Sequence, residues 1–291
     1  MKVLILGVTG MLGSEVFLHL KESSQYIVHG TVRKMLPASH LMKYSDTIIS
    51  GVEASNLKKI KQIIEEGKYN TVINCIGAIK QKSNNEDPIN YLTYNAILPH
   101  ELSKICDSCG SRLILISTDC VFSGKGSLYT EQDFADARDY YGVSKYLGEI
   151  SNKKHVLTLR TSIIGHEISS SSSLLEWFKS QTGTVDGYTN AYFSGLTTGF
   201  LSEVIGTLCI PDLDLYGLYH VASNRISKYE LLCKLRDVYG LTVGIDKFEQ
   251  FKIDRSLNCD SFGRRTGYRK KNWTDQLINT REKYVRRLGN A

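Results

Sequence analysis

The 291-residue chain is predicted to adopt an α/β fold, a doubly wound parallel sheet followed by a smaller C-terminal α/β lobe. Short β-branched runs alternate with helical patterns through the first half. Strand, helix and strand repeated in series fold through right-handed crossovers onto a parallel sheet covered on both faces. After about Gly165 the rhythm changes, which marks a second, smaller unit. Size agrees, since 291 residues exceed one typical domain and fall short of two large ones. A hydrophobic fraction of 42%, a charged fraction of 23% and 24 glycines against 4 prolines exclude collagen-like, mucin-like and disordered chains.

Apolar runs at residues 2–6, 26–32, 47–50, 71–75, 112–117 and 156–160 read as buried strands. Helical patterns lie between them at 11–21, 56–66, 90–106 and 140–152. Beyond them, 169–173 reads as a loop or helix entrance, 174–181 and 200–208 as helices, 215–221 as a strand, and 228–238 and 273–288 as helices. The expected division is 1–165 and 166–291, with part of 195–222 returning to the first unit. No internal repeat or heptad pattern is present.

The opening apolar run stops at Gly7-Val8-Thr9-Gly10, short of signal-peptide or membrane length, so a cytoplasmic protein with no membrane partner is expected. Seven cysteines at scattered spacings argue for reduced thiols. Cys106 and Cys109 form a C-x-x-C at the end of a predicted helix, whereas a redox pair opens one. With no second pair at ligand spacing, no metal site is expected.

Gly7-Val8-Thr9-Gly10-Met11-Leu12-Gly13 follows the first strand and opens the first helix. A backbone that turns tightly there, without Cβ atoms in the way, presents helix N-terminal amides to a pyrophosphate. The loop therefore points to a dinucleotide on a Rossmann-like sheet. Where an NAD-preferring site places an acid on the ribose, the second strand ends in Arg33-Lys34. Arg33 suits a 2′-phosphate, favouring NADPH over NADH; the alternative is a solvated basic turn.

The fifth strand runs into Ser117-Thr118-Asp119, and 23 positions beyond Thr118 stands Tyr141, with Lys145 four residues further. Positions i and i+4 share a helical face, so the ammonium would sit near the phenol and stabilise its anion. A phenol of pKa about 10 needs such help to move protons at neutral pH.

On these residues the chain resembles the extended short-chain dehydrogenase/reductases, in their dTDP-4-dehydrorhamnose reductase-like branch. Further marks are Asn74-Cys75-Ile76-Gly77, Asn95, the run from Ser117 to Gly124, Gly148-Glu149, Arg160-Thr161-Ser162 and Gly217-Leu218-Tyr219-His220-Val221-Ala222. The resemblance implies that Tyr141 is the general acid at a sugar 4-keto oxygen, that Thr118 polarises that carbonyl, and that Lys145 holds the nicotinamide ribose and lowers the Tyr141 pKa. It implies cofactor contacts from Gly7, Thr9, Gly10, Met11, Leu12, Arg33, Ile76, Gly77, Ala78, Asn95, Tyr141 and Lys145. Substrate contacts are expected from Asp119, Val121, Phe122, Thr161 and Arg255, the last as a clamp for a diphosphate.

The same family includes dehydratases and epimerases. A 4,6-dehydratase carries Asp-Glu after the threonine, whereas this chain has Asp119-Cys120, which argues against water loss. An epimerase retains NAD, which Arg33-Lys34 fits less well. The expected activity is thus NADPH-dependent reduction of a nucleotide-linked 4-keto-6-deoxyhexose for surface polysaccharide synthesis. The alternatives are a nucleotide-sugar epimerase and a non-catalytic NADP-binding regulatory subunit, the role a relative plays for methionine adenosyltransferase. The segment 187–198 departs from the branch, lacking its proline, and is expected to be a loop that sets sugar choice; Tyr188, Tyr192 and Phe193 would stack on substrate or pack the lobe.

The net charge is +6, yet Arg264, Arg265, Arg269, Lys270, Lys271, Arg281, Lys283, Arg286 and Arg287 oppose only Asp275 and Glu282, a local +7. With its aromatics dispersed, this stretch is expected to be a solvated face or an oligomer contact, a homodimer being the assembly held open, and not a nucleic-acid surface.

Overall fold

The computed structural model describes residues 1–34, 41–80, 87–168 and 172–289. In the first part, β1 (Lys2–Leu6), α1 (Met11–Ser23), β2 (Ile27–Thr31), β3 (Ile48–Ile49), α2 (Leu57–Gly67) and β4 (Thr71–Asn74) follow one another. Next, α3 (Pro88–Tyr91) passes through a π-helical turn (Leu92–Ile97) into α4 (Leu98–Ser108), followed by β5 (Arg112–Thr118), α5 (Tyr140–Leu147) and β6 (Val156–Thr161). The second part holds β7 (Ile163–Ile164), α6 (Leu174–Lys179), β8 (Thr184–Phe193), β9 (Leu196–Thr197), α7 (Thr198–Val204), β10 (Gly217–His220), β11 (Ile226–Ser227), α8 (Lys228–Tyr239), β12 (Gly244–Asp254), α9 (Asp260–Thr266) and α10 (Trp273–Gly289).

Seven strands form one parallel sheet in the order β10-β6-β5-β4-β1-β2-β3. Alternation along β1 explains its two covered faces: Val3 and Ile5 enter one core with Phe17, Ile73, Ile114 and Leu201. Leu4 and Leu6 enter the other with Ile60, Val72, Leu102 and Leu113. The direction in which successive strands are added reverses between β1 and β4, and in such sheets the crevice beyond the strand ends at that switch point receives ligands. A third core, built on Phe178, Phe193, Leu231, Leu235, Trp273 and Leu277, sits under the small sheet β11-β8-β12.

Several expected elements shift. The helix expected over 90–106 is interrupted by the π turn, and the one over 140–152 stops at Leu147. The stop has a steric reason: a Cβ on Gly148 would lie 1.8 Å from the Asn95 carbonyl oxygen, so α5 ends against that turn. The segment expected as a loop, 187–198, is largely strand β8, paired in parallel with β12, which the sequence also hid. β12 is mostly exposed and β8 mixes exposed, half-buried and buried positions with many polar residues, so neither shows the apolar alternation that betrays a strand. Among the described residues no helix is long and apolar enough to cross a membrane, and no cluster suited to a metal ion occurs.

Candidate active site

At the switch point, the glycine loop is shaped by sterics. Gly7 has φ +86°, and a Cβ on Gly13 would lie 2.2 Å from the Gly7 carbonyl oxygen, so neither position admits a side chain. Gly10 caps α1 without any side-chain hydrogen bond, whereas α2, α5 and α8 are capped by Asn56, Asp139 and Ser227. The first-turn amides of α1 are thus left to an external acceptor, and this cradle fits a pyrophosphate. Thr9 and Met11 are half-buried beside it; the Leu12 side chain belongs to the core and offers only its backbone. Arg33 is exposed just past β2.

Across the crevice, Asn95 pins the loop after β4. Its Oδ1 accepts from Ala78 N at 2.9 Å, while its Nδ2 donates to Ala78 O at 3.0 Å and to Ser144 Oγ at 3.2 Å. The π turn, a device often found at functional sites, aims this 2% exposed side chain inward. Expected among the cofactor contacts, Asn95 has its amide committed to Ala78 and Ser144. Ile76 lies within reach of the missing Gly7 side chain, which brings the two loops together.

Thr118 and Tyr141 meet through a hydrogen bond, and Lys145 follows one turn along α5. Thr118, at the end of β5, accepts from Cys120 N at 3.1 Å and donates to Asp119 Oδ1 at 3.2 Å. Burial pushes the Tyr141 phenol well above its usual range, reinforced by Cys120, Asp119 and Asp139, while hydrogen bonding with Thr118 pulls it down. Lys145, half-buried one turn along, donates to the Ile116 carbonyl at 2.5 Å; burial pushes its ammonium down to about 8 against the pull of Glu149. The lowering of the Tyr141 pKa expected from Lys145 is therefore not found: the phenol is raised overall, and the opposing pull comes from Thr118, not from the ammonium. Two residues that the sequence did not single out frame the phenol: Lys80 lies 5.6 Å from its ring centroid and pairs at 3.0 Å with Asp139, the α5 cap. Only the fold brings Lys80 near Tyr141, so no local spacing betrays it.

At or just beyond the ends of β5, β6 and β12, the expected substrate residues divide. Asp119, 5% exposed, has its pKa raised by burial against the opposing pull of Arg255 and Lys228. Arg255 reaches the same spot: its Nε donates to Phe122 O at 2.9 Å, and its guanidinium lies 3.6 Å from Cys120 Sγ. Val121 and Phe122, however, are 0% exposed, and Thr161 only 2%. Phe122 stacks on Tyr129 at 4.1 Å and lies under Arg160, so these side chains hold the wall from behind instead of facing a ligand. Arg160 is itself fixed by Glu149, through contacts of 2.7 and 2.6 Å. Tyr188 joins an exposed aromatic group with Phe248 and Phe251, Tyr192 lies under Arg225, and Phe193 packs against Trp273.

The Cys106 thiol at the end of α4 is buried and pushed up to about 12, as expected of an inert C-x-x-C. The basic C-terminal stretch is less solvated than expected: Arg287 is buried between Glu15 and Glu22, Arg265 pairs with Asp212 and Lys271 with Glu203.

Among solved structures, the dTDP-4-dehydrorhamnose reductase of Bacillus anthracis in complex with NADP superposes with a TM-score of 0.79 at 21% identity, covering 97% of this chain and 99% of that one, a likeness of fold. Methionine adenosyltransferase 2 subunit beta of Xenopus laevis is 25% identical over 256 residues, covering 82% of this chain and 72% of that protein. The spore coat polysaccharide biosynthesis protein SpsK of Bacillus subtilis is 27% identical over 257 residues, covering 84% and 81%. The model of the RmlD substrate binding domain matches residues 1–243, and the chain belongs to that family.

Proposed function

We propose that the protein is an NADPH-dependent reductase acting on the 4-keto group of a nucleotide-linked 4-keto-6-deoxyhexose in deoxysugar synthesis. The observation that carries this reading is the meeting of Thr118 and Tyr141 at the carboxyl ends of the strands, beside a glycine cradle whose helix amides await an anion. NADPH, when bound, supplies the hydride. Gly7, Thr9, Gly10 and the backbone of Met11 and Leu12 would hold its pyrophosphate, with Arg33 at the ribose phosphate and the Ile76–Ala78 loop beside the nicotinamide end. Thr118 orients the carbonyl. Tyr141 delivers the proton to its oxygen, and Lys145 holds the ribose. Asp119 followed by Cys120, with no second carboxylate, supports reduction over water loss. Residues 1–165 with β10 form the dinucleotide unit in this reading, and the remainder holds the sugar.

A Tyr141→Phe variant is expected to lose at least 100-fold in keto-sugar-dependent NADPH oxidation, scored across dTDP-, UDP-, GDP- and CDP-linked substrates by mass spectrometry. Retention of most of the activity would sink the mechanism.

The relatives named methionine adenosyltransferase 2 subunit beta favour a second reading, a regulatory NADP-binding subunit. It predicts co-purification with a larger enzyme and no turnover on the same panel, with NADPH binding intact.

A further inference from the structure

Lys228 stands where local rules disfavour it. It is the first residue of α8, at the positive end of the helix dipole, and α8 is already closed by a capping box of Ser227 and Glu230. Its half-buried ammonium lies 3.6 Å from the Phe193 ring centroid. Ser227 and Asp254, the residues before Lys228 and Arg255, both pair with Tyr192 of β8, so the two cations leave the small sheet at one point; burial and Arg255 push the Lys228 pKa down, while Asp119 and Cys120 draw it up. Among the described residues, neither Lys228 nor Arg255 has a carboxylate within 4.0 Å, and the contacts of Arg255 are the Phe122 carbonyl and the Cys120 thiol. Asp119, whose oxygen accepts from Thr118, faces both cations. The neighbouring charges cancel in pairs, Lys80 with Asp139 and Arg225 with Asp254 at 2.8 Å. Around Asp119, two cations therefore face one carboxylate. Desolvating an unpaired cation is costly, and a neutral methyl group would gain nothing from two of them.

We propose that Lys228 and Arg255 form a carboxylate subsite, which takes an acidic substituent on a ring carbon next to the keto group being reduced. This rests on the reading that Thr118 and Tyr141 address a keto sugar. It turns the substrate class to an acidic keto sugar: an acid on an acyl or ether arm at C3 is compatible with a 6-deoxyhexose, whereas an acid at C5, as in a uronate, replaces the 6-deoxy part of that reading.

The test is calorimetry on the NADP⁺-loaded protein with matched pairs of probes. UDP-glucuronate against UDP-glucose reads the C5 side, and UDP-N-acetylmuramate against UDP-N-acetylglucosamine reads the C3 side. The expected result is that one acidic probe binds at least tenfold more tightly than its neutral partner. Lys228→Met should abolish that preference and Lys228→Arg preserve it, with unchanged melting temperature and NADP⁺ affinity. Equal binding within both pairs would overturn the proposal, as would a Lys228→Met effect shared by UDP itself, which would make Lys228 a diphosphate holder. Should no UDP-linked probe bind, glucuronic acid 1-phosphate against glucose 1-phosphate makes the comparison without a base, and equal binding there is a negative result. Failure of NADP⁺ to bind would instead count against the reductase reading.

Discussion

Lys145 couples the chemistry to pH. Its ammonium, pushed down to about 8 by burial, loses its proton as pH rises through that value. Because kcat/KM reports the free protein, a falling limb near pH 8 is expected, and the limb should vanish in Lys145→Met, whose residual rate is low and flat. The sign for stability is opposite. An unfolded lysine keeps its proton up to about 10.4, so between pH 8 and that value the unfolded chain binds more protons, and stability contributed by this residue rises with pH. Chemical denaturation at pH 7 and pH 9.5 should show the wild type gaining on Lys145→Met at the higher pH; a constant gap would show that burial does not perturb Lys145. At this scale the sequence was most informative about groups joined by short spacing. Tyr141 and Lys145 are four residues apart on one helix, and the glycines of the cradle, Gly7, Gly10 and Gly13, fall within one short stretch. Lys80 and Lys228 reach the site only through the fold, and nothing beside them in the chain announces it.

The turn of π-helix and the end of α5 act as one element. Gly148 packs so closely on the Asn95 carbonyl that Gly148→Ala must displace the turn, and with it the amide that holds Ala78. That substitution is expected to cost at least about 2 kcal/mol of stability and to reduce turnover more than tenfold. A fitting control is Gly263→Ala in α9, where the nearest atom to a new Cβ is 3.6 Å away and helix propensity gains up to about 1 kcal/mol. If the two variants behave alike in thermal melts, the close packing at Gly148 carries no energy. Elements buried on both faces of the large sheet, such as β1, β4 and β5, were legible because each carries an unbroken apolar run, Val3 to Leu6, Val72 to Ile73 and Leu113 to Ile116. The ribbon of β8 and β12 was illegible because exposure lets Thr189, Asn190, Glu249 and Lys252 occupy it, and Phe248 to Lys252 carries a shift of register.

The whole molecule is closed by a long-range ion cluster. Arg287 donates to Glu22 at 2.9 and 3.0 Å and to Glu15 at 2.5 Å, tying α10 to the helix that begins at the glycine cradle. Removing the cation alone leaves two carboxylates facing each other, so Arg287→Met is expected to cost about 3 kcal/mol. Adding Glu15→Gln and Glu22→Gln should recover part of that loss, and no recovery in denaturant titrations would show that the charges are not coupled. The overall charge balance hinted at none of this, since a count of basic residues cannot distinguish a solvated arginine from one enclosed between acids 265 and 272 positions away.

That closure also sets an order of assembly. On the ribosome, α1 emerges long before α10, and its glutamates meet their cation only when residue 287 has left the exit tunnel. Six strands of the large sheet are already available once Thr161 is out, and the seventh follows at Gly217–His220. A nascent chain stalled before α10 would thus hold a nearly complete sheet whose glycine-cradle helix is still unlatched, making α10 the step that commits α1.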